Sequence, residues 1–194
     1  QQEKQSFWEK EPTFALSNIK HQPKKHEKKH FYFSLHLDLV PHKLYLTKNA
    51  GHTAYLFAYF EGSGELTTQE QLRFAVSADA VHWKALNGNR PVIPSDEISQ
   101  TGGIRDPHIL RGEDGHTFYI TATDMFTRKN GWEYNPGIVL LKSGNLTDWT
   151  HGIIDLEKSY PEKFAHIKWV WAPQTIYDPE ARKYLVYFTV RFEY

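Results

Sequence analysis

The chain has no cysteine and a single methionine in 194 residues. Without thiols it can build neither a disulfide scaffold nor a thiolate zinc site. It lacks net charge as well, since 23 Lys and Arg balance 23 Asp and Glu. That balance removes the whole-chain electrostatic argument for a nucleic-acid or anionic-membrane partner. No apolar run approaches the roughly 18 to 20 residues a membrane span requires. What the chain has in quantity is aromatic residues, six Trp, eleven Tyr and twelve Phe, which suit strands and sugar-stacking surfaces equally. The length is that of one domain or two small ones, sufficient for a sizeable core.

Residues 1–30 differ from the rest. They are polar, are broken by Pro12 and Pro23, and end in the run Lys24-Lys25-His26-Glu27-Lys28-Lys29-His30. This reads as a solvated basic arm more readily than as a metal site, because carboxylate partners at ligand spacing are lacking. No signal peptide is visible, and a start at Gln1 without Met reads as processed or trimmed, so a secreted or periplasmic location is expected.

From residue 31 onward, short runs of β-branched and aromatic residues alternate with Gly, Asn and Asp turns. Tyr55-Leu56-Phe57-Ala58-Tyr59-Phe60, Thr117-Phe118-Tyr119-Ile120-Thr121-Ala122 and Tyr184-Leu185-Val186-Tyr187-Phe188 are examples. None has the length or the 3.6 spacing of a convincing helix, so the body reads as all-β.

An internal repeat organises these runs. Gly51-His52-Thr53 with Tyr55 matches Gly115-His116-Thr117 with Tyr119, and Ser77-x5-Trp83 matches Ser143-x5-Trp149. The same offset, about 65 residues, carries Pro107 onto Pro173. Each unit reads as a four-stranded sheet opened by a Pro-containing strand, which is the plan of a β-propeller blade, with a β-sandwich as the alternative. The blade-like units span about 40–95, 104–152 and 170–194, inside a partial propeller over 31–194.

A repeat is an internal control on function. Positions shared by the copies serve the sheet, so a polar residue found in one copy alone needs another reason. The residues before the three prolines are Val40, Asp106 and Ala172. Asp106 either caps a turn, as Asp178-Pro179 does between two apolar strands, or serves a site. It follows Thr101-Gly102-Gly103-Ile104-Arg105, where glycine permits close backbone approach. Arg105 would hold the carboxylate ionised or grip a hydroxyl-bearing substrate.

The stretch Gly103-Ile104-Arg105-Asp106-Pro107-His108-Ile109, the later Leu140-Leu141-Lys142-Ser143-Gly144-Asn145-Leu146-Thr147-Asp148-Trp149, and Trp171-Ala172-Pro173-Gln174 together resemble glycoside hydrolase family 43. The resemblance implies a five-bladed β-propeller, of which this chain holds about two and a half blades. It also implies inverting hydrolysis of arabinose- or xylose-containing oligo- or polysaccharides, with Asp106 as general base. Trp171 and Gln174 would then line the pocket, with His108 and Arg105 as further substrate-binding candidates. Asp124, just after the aromatic strand, reads either as a substrate-binding acceptor for a sugar hydroxyl or as an ordinary loop residue. The resemblance carries no required cofactor, although a complete propeller can hold a structural calcium. The family's general acid and pKa-modulating carboxylate lie in later blades, so the remainder of the ring is expected from further C-terminal sequence or another chain. A non-catalytic carbohydrate-binding or interaction propeller is the alternative reading.

Aromatic residues divide in the same way. Trp83 and Trp149 recur at matched places and are expected in blade cores, whereas Trp171 has no counterpart and is the candidate for stacking on a sugar. Phe126, Trp132 and Tyr134 either form a subsite wall or pin their loop.

Overall fold

The computed structural model describes residues 29–35 and 54–193. Among them are ten strands: β1 (Lys29–Leu35), β2 (Tyr55–Tyr59), β3 (Arg73–Ser77), β4 (Lys84–Ala85), β5 (Ile104–Arg111), β6 (Phe118–Asp124), β7 (Gly137–Ser143), β8 (Thr150–Asp155), β9 (Ile167–Asp178) and β10 (Lys183–Phe192). The only α-helices among the described residues are single turns of four residues, α1 (Ser95–Ile98), α2 (Thr127–Asn130), α3 (Leu156–Ser159) and α4 (Pro161–Phe164). The protein is therefore all-β, as its alternating pattern requires.

Three antiparallel sheets form, in the orders β2-β3-β4, β5-β6-β7-β8 and β1-β10-β9. The middle sheet is covered on both sides. One core cluster joins Leu72, Phe74 and Ala58 to Ile104, Ile120, Val139 and Leu141, and another joins Ile138 and Leu140 to Val170, Val186, Phe188 and Val190. Alternate β7 residues thus point to opposite cores, which explains why its sequence runs apolar without a polar face. In β10, Tyr184, Val186, Phe188 and Val190 are buried in strict alternation, as expected of a strand with one core face.

The repeat survives in three dimensions. Arg105 pairs with Thr123 and His108 with Thr121, so Asp106 and Pro107 together oppose Ala122. Trp171 pairs with Thr189 and Gln174 with Tyr187, so Ala172 and Pro173 together oppose Phe188. Both bulges carry a left-handed residue before the proline, Asp106 at φ 50° and Ala172 at φ 51°. A side chain in that conformation costs on the order of 1–3 kcal/mol, so the two bulges are built against local preference. The Ser-x5-Trp segments repeat too: Ser77 Oγ accepts from Asp79 N–H and Ser143 Oγ from Asn145 N–H, and Ala80 and Leu146 follow at φ 60° and 66°.

Three expectations change. The opening strand of the first unit, with Val40 and Pro41, lies outside the described residues, as do residues 1–28. Strand pairing begins at Lys29, inside the stretch read as an arm, because β1 forms the outer strand of the β9-β10 sheet. Strand β9 of that sheet also begins at Ile167, ahead of the boundary at 170. Finally, Trp149 lies half-buried against Phe74, with ring centroids 6.0 Å apart, while its counterpart Trp83 is 43% exposed and meets Phe57. The difference follows from layering: the β2-β3-β4 sheet covers Trp149, and among the described residues no sheet covers the corresponding face at Trp83.

Candidate active site

Asp106 stands at the bulge of β5, partly exposed, where the left-handed turn lifts its side chain out of the strand's ordinary alternation. Thr123, fully buried on β6, fixes it. Thr123 Oγ1 donates to Asp106 Oδ2 at 3.0 Å and accepts the N–H of Ala172 at 3.0 Å. A hydroxyl has one proton. Since the peptide N–H can only donate, that proton faces the carboxylate, and Asp106 Oδ2 is an acceptor. The bridge also places the bulge of β9, with Trp171, beside the carboxylate. The one-copy acidic residue is therefore linked through Thr123 to the backbone of Ala172, the residue that follows the one-copy tryptophan.

Thr123 was not singled out from sequence. Its signal lay in the register: Thr123 faces the bulge of β5 just as Thr189 faces that of β9.

Arg105 does not serve its neighbour. Its guanidinium donates from Nη1 to Glu70 Oε1, and no ion pair with Asp106 is present among the described residues. It lies over the ring of Phe60, 4.6 Å from the centroid, and over that of Trp132 at 4.8 Å. The expectation that it holds Asp106 ionised is thus corrected: the left-handed bulge at Asp106 directs its carboxylate to Thr123, while Arg105 turns to Glu70.

Asp124 also differs from expectation. It is 1% exposed, and its oxygens accept from Ser99 Oγ (2.8 Å), Gln100 N (2.9 Å), Thr101 N (3.0 Å) and Thr101 Oγ1 (2.7 Å). Three of these donors reach Oδ1 and one Oδ2, and the buried carboxylate is turned inward to residues 99–101. The carboxylate pins the approach to β5, and Gly103 completes that anchor. A Cβ there would meet Phe126 Cβ at 2.6 Å and collide with Met125 O, so the glycine serves chain packing.

His108 joins sheets. Its Nδ1 accepts the N–H of Thr175 at 3.2 Å, and burial lowers its pKa below the ordinary value. The neutral ring that accepts at Nδ1 carries its proton on Nε2. Thr121 Oγ1 donates to the carbonyl of Pro173 at 3.1 Å beside it. Gln174, exposed on β9, accepts from Tyr187 Oη through Oε1.

Trp171 is wedged among indoles. Trp169 stacks on it with centroids 3.9 Å apart and planes at 4°, and Trp132 meets it in a T at 6.0 Å. With one face covered, Trp171 is an inner wall, while Trp132, 56% exposed, is the member of the trio turned to solvent. Phe126 pins its loop against Gly103. Tyr134 Oη donates to Glu157 Oε2 at 2.5 Å.

The site is thus a half-exposed carboxylate held as an acceptor at the junction of two sheets, edged by indoles. Residues 51–193 match a family model of the glycosyl hydrolase 43-related type, described as "Probable glycosyl hydrolase domain". The chain is also similar to an alpha-L-arabinofuranosidase of Bifidobacterium longum subsp. longum, 25% identical over 150 residues; the match covers 75% of this chain and 14% of that protein's length. No solved structure matches it.

Proposed function

Because the chain belongs to the glycosyl hydrolase 43-related family, we propose that it forms part of a glycosidase that cleaves arabinose- or xylose-containing oligo- and polysaccharides with inversion, using Asp106 as general base. The observation that carries this reading is the Thr123 bridge, which commits Asp106 Oδ2 to an accepted hydrogen bond and leaves Oδ1 for a water.

In the proposed step, Asp106 Oδ1 takes a proton from that water as its oxygen bonds to the anomeric carbon. The glycosidic C–O bond breaks with its electron pair going to the leaving oxygen, which an acid on the far side of the sugar protonates. Inversion requires acid and base roughly 6.5–9.5 Å apart, leaving space for the water. That separation calls for an acid from another part of the ring. Glu70 and Glu193 are unsuited, the first tied to Arg105 and the second bridged to Lys168.

The sheets are proposed as blades of a five-bladed propeller. Three antiparallel sheets, two with the same proline bulge and stacked face to face, support this architecture. Further chain, or another polypeptide, would complete the ring. His108 and Gln174 are proposed to border the substrate, with Trp171 as the inner wall. Arabinose is favoured among the pentoses because the relative named above is an arabinofuranosidase. A polymeric plant substrate places the proposed activity outside the cytoplasm.

The intact protein should hydrolyse arabinan, arabinoxylan or aryl pentosides. Proton NMR of the first-formed product should show the anomer opposite to that of the substrate. Oligosaccharide binding without turnover would sink the hydrolase reading and favour a carbohydrate-binding propeller.

A further inference from the structure

Glu70 is fully buried, sits at φ 52° between β2 and β3, and enters the site built above only as the partner of Arg105. Its carboxylate collects Arg105 Nη1, the N–H of Thr127 at 2.7 Å, and the Thr127 hydroxyl. Its backbone is equally engaged, since its carbonyl accepts from Ile104 N at 2.6 Å and its N–H donates to Glu61 O at 2.7 Å. One side chain thus ties β5, next to Asp106, to the first residue of α2 and hence to the loop bearing Trp132.

A buried ion pair is weak evidence of stability, because desolvation offsets most of its attraction. Its effect here is placement. Arg105 is held between Phe60 and Trp132, and Trp132 is held between Arg105 and Trp171. The far end of the loop is equally fixed: Asn135 donates from Nδ2 to Asp124 O at 2.5 Å, from its N–H to Lys168 O at 2.8 Å, and accepts from Val170 N at 2.8 Å. An indole more than half exposed is therefore presented from a loop anchored at both ends. It contacts the residue before Asp106 and the residue before Ala172.

We propose that Trp132 is a preorganised stacking platform for a pentose ring of the substrate adjoining Asp106, and that Glu70, acting through Arg105, is the positioning residue that sets it. Holding the indole before binding removes the ordering cost that a mobile side chain would bring to the complex. The Arg105 guanidinium makes one hydrogen bond among the described residues, to Glu70, and its other N–H groups can donate to sugar hydroxyls while the ring's C–H face lies on the indole.

This inference rests on the glycosidase reading, and its test separates the two. Arabinotriose and xylotriose are titrated into the intact protein carrying Asp106→Asn, alone and combined with Trp132→Ala, Trp132→Phe or Glu70→Gln, with binding followed by calorimetry. Trp132→Ala is expected to weaken binding about tenfold, equivalent to 1.4 kcal/mol, and Trp132→Phe to stay within about threefold. Glu70→Gln is expected to weaken it by a similar factor and to make tryptophan fluorescence more accessible to acrylamide. With Asp106 intact, each weakening variant should raise KM by a larger factor than it lowers kcat. Unchanged affinity in Trp132→Ala overturns the platform and leaves the base assignment standing. Weakened affinity alongside undiminished turnover in Asp106→Asn supports the platform and removes the base. If Glu70→Gln does not fold, the two Trp132 variants decide the platform. Failure of the parent to bind either sugar overturns both.

Discussion

Replacing Thr123 by valine keeps its shape and deletes one oxygen. That oxygen has two partners, Asp106 Oδ2 and the N–H of Ala172, both at 3.0 Å. A hydrogen bond to a charged group contributes about 1.5–3 kcal/mol and a neutral one about 0.5–1.5 kcal/mol. Asp106 and Ala172 both have access to water, which recovers part of that, so about 2 kcal/mol is the expected loss. For a chain of this length it corresponds to a melting point about 4–8 °C lower. Activity should fall by more than stability implies. The freed carboxylate can turn, and one to two decades in kcat corresponds to about 1.4–2.8 kcal/mol of lost positioning. KM should change little, because Thr123 is fully buried and does not touch substrate. Thr123→Ser restores the hydroxyl and should restore kcat. The assay is steady-state hydrolysis of an aryl pentoside alongside thermal melts. A valine variant with kcat within about twofold of the parent would refute the claim that this bridge sets the reactive carboxylate.

Burial lowers the pKa of His108, so the unfolded chain takes up a proton that the folded protein refuses; stability is therefore full above about pH 6.5 and falls as pH drops below it. Melting curves between pH 7.5 and 5.5 should show that slope, and His108→Gln should reduce it; equal slopes would contradict the sheet-joining role. Gly103→Ala drives a methyl into Phe126 and Met125 O, and should destabilise by about 2–3 kcal/mol in denaturant titrations; a neutral effect would mean the loop has room. Trp149→Ala should cost about 3 kcal/mol, whereas Trp83→Ala, at a site 43% exposed, should cost less than half as much. Equal losses would mean that both tryptophans are covered alike.

What sequence revealed was local and periodic. Strand alternation, the Ser-x5-Trp turns and the proline bulges each occupy a few consecutive residues, and the copies confirmed one another at fixed offset. The lone acidic residue before Pro107 was identifiable because Ala172 stands at the equivalent place. Contacts between distant segments left no such trace. Glu70 meets Arg105 across 35 positions, and β1 pairs with β10 across some 150, and neither pairing follows from any propensity. The anchoring of Asp124 was not legible because its donors, two hydroxyls and two backbone N–H groups of residues 99–101, lie more than twenty positions away. That Arg105 turns away from Asp106 was not legible, because it depends on the left-handed bulge at Asp106 and on a partner, Glu70, 35 positions away. Trp171 was named from sequence as the candidate for stacking on a sugar. That its face would be closed by Trp169, leaving Trp132 exposed, depended on packing.

The central claim is that Asp106 is the base, and the most direct measurement is kcat for Asp106→Asn in the intact protein on an aryl pentoside, with folding checked by its melting curve. The amide keeps the shape and cannot take the proton from water. A fall in kcat of about 10²–10⁴-fold with the fold retained is the expected result. A folded variant that turns over at the parent's rate would contradict it.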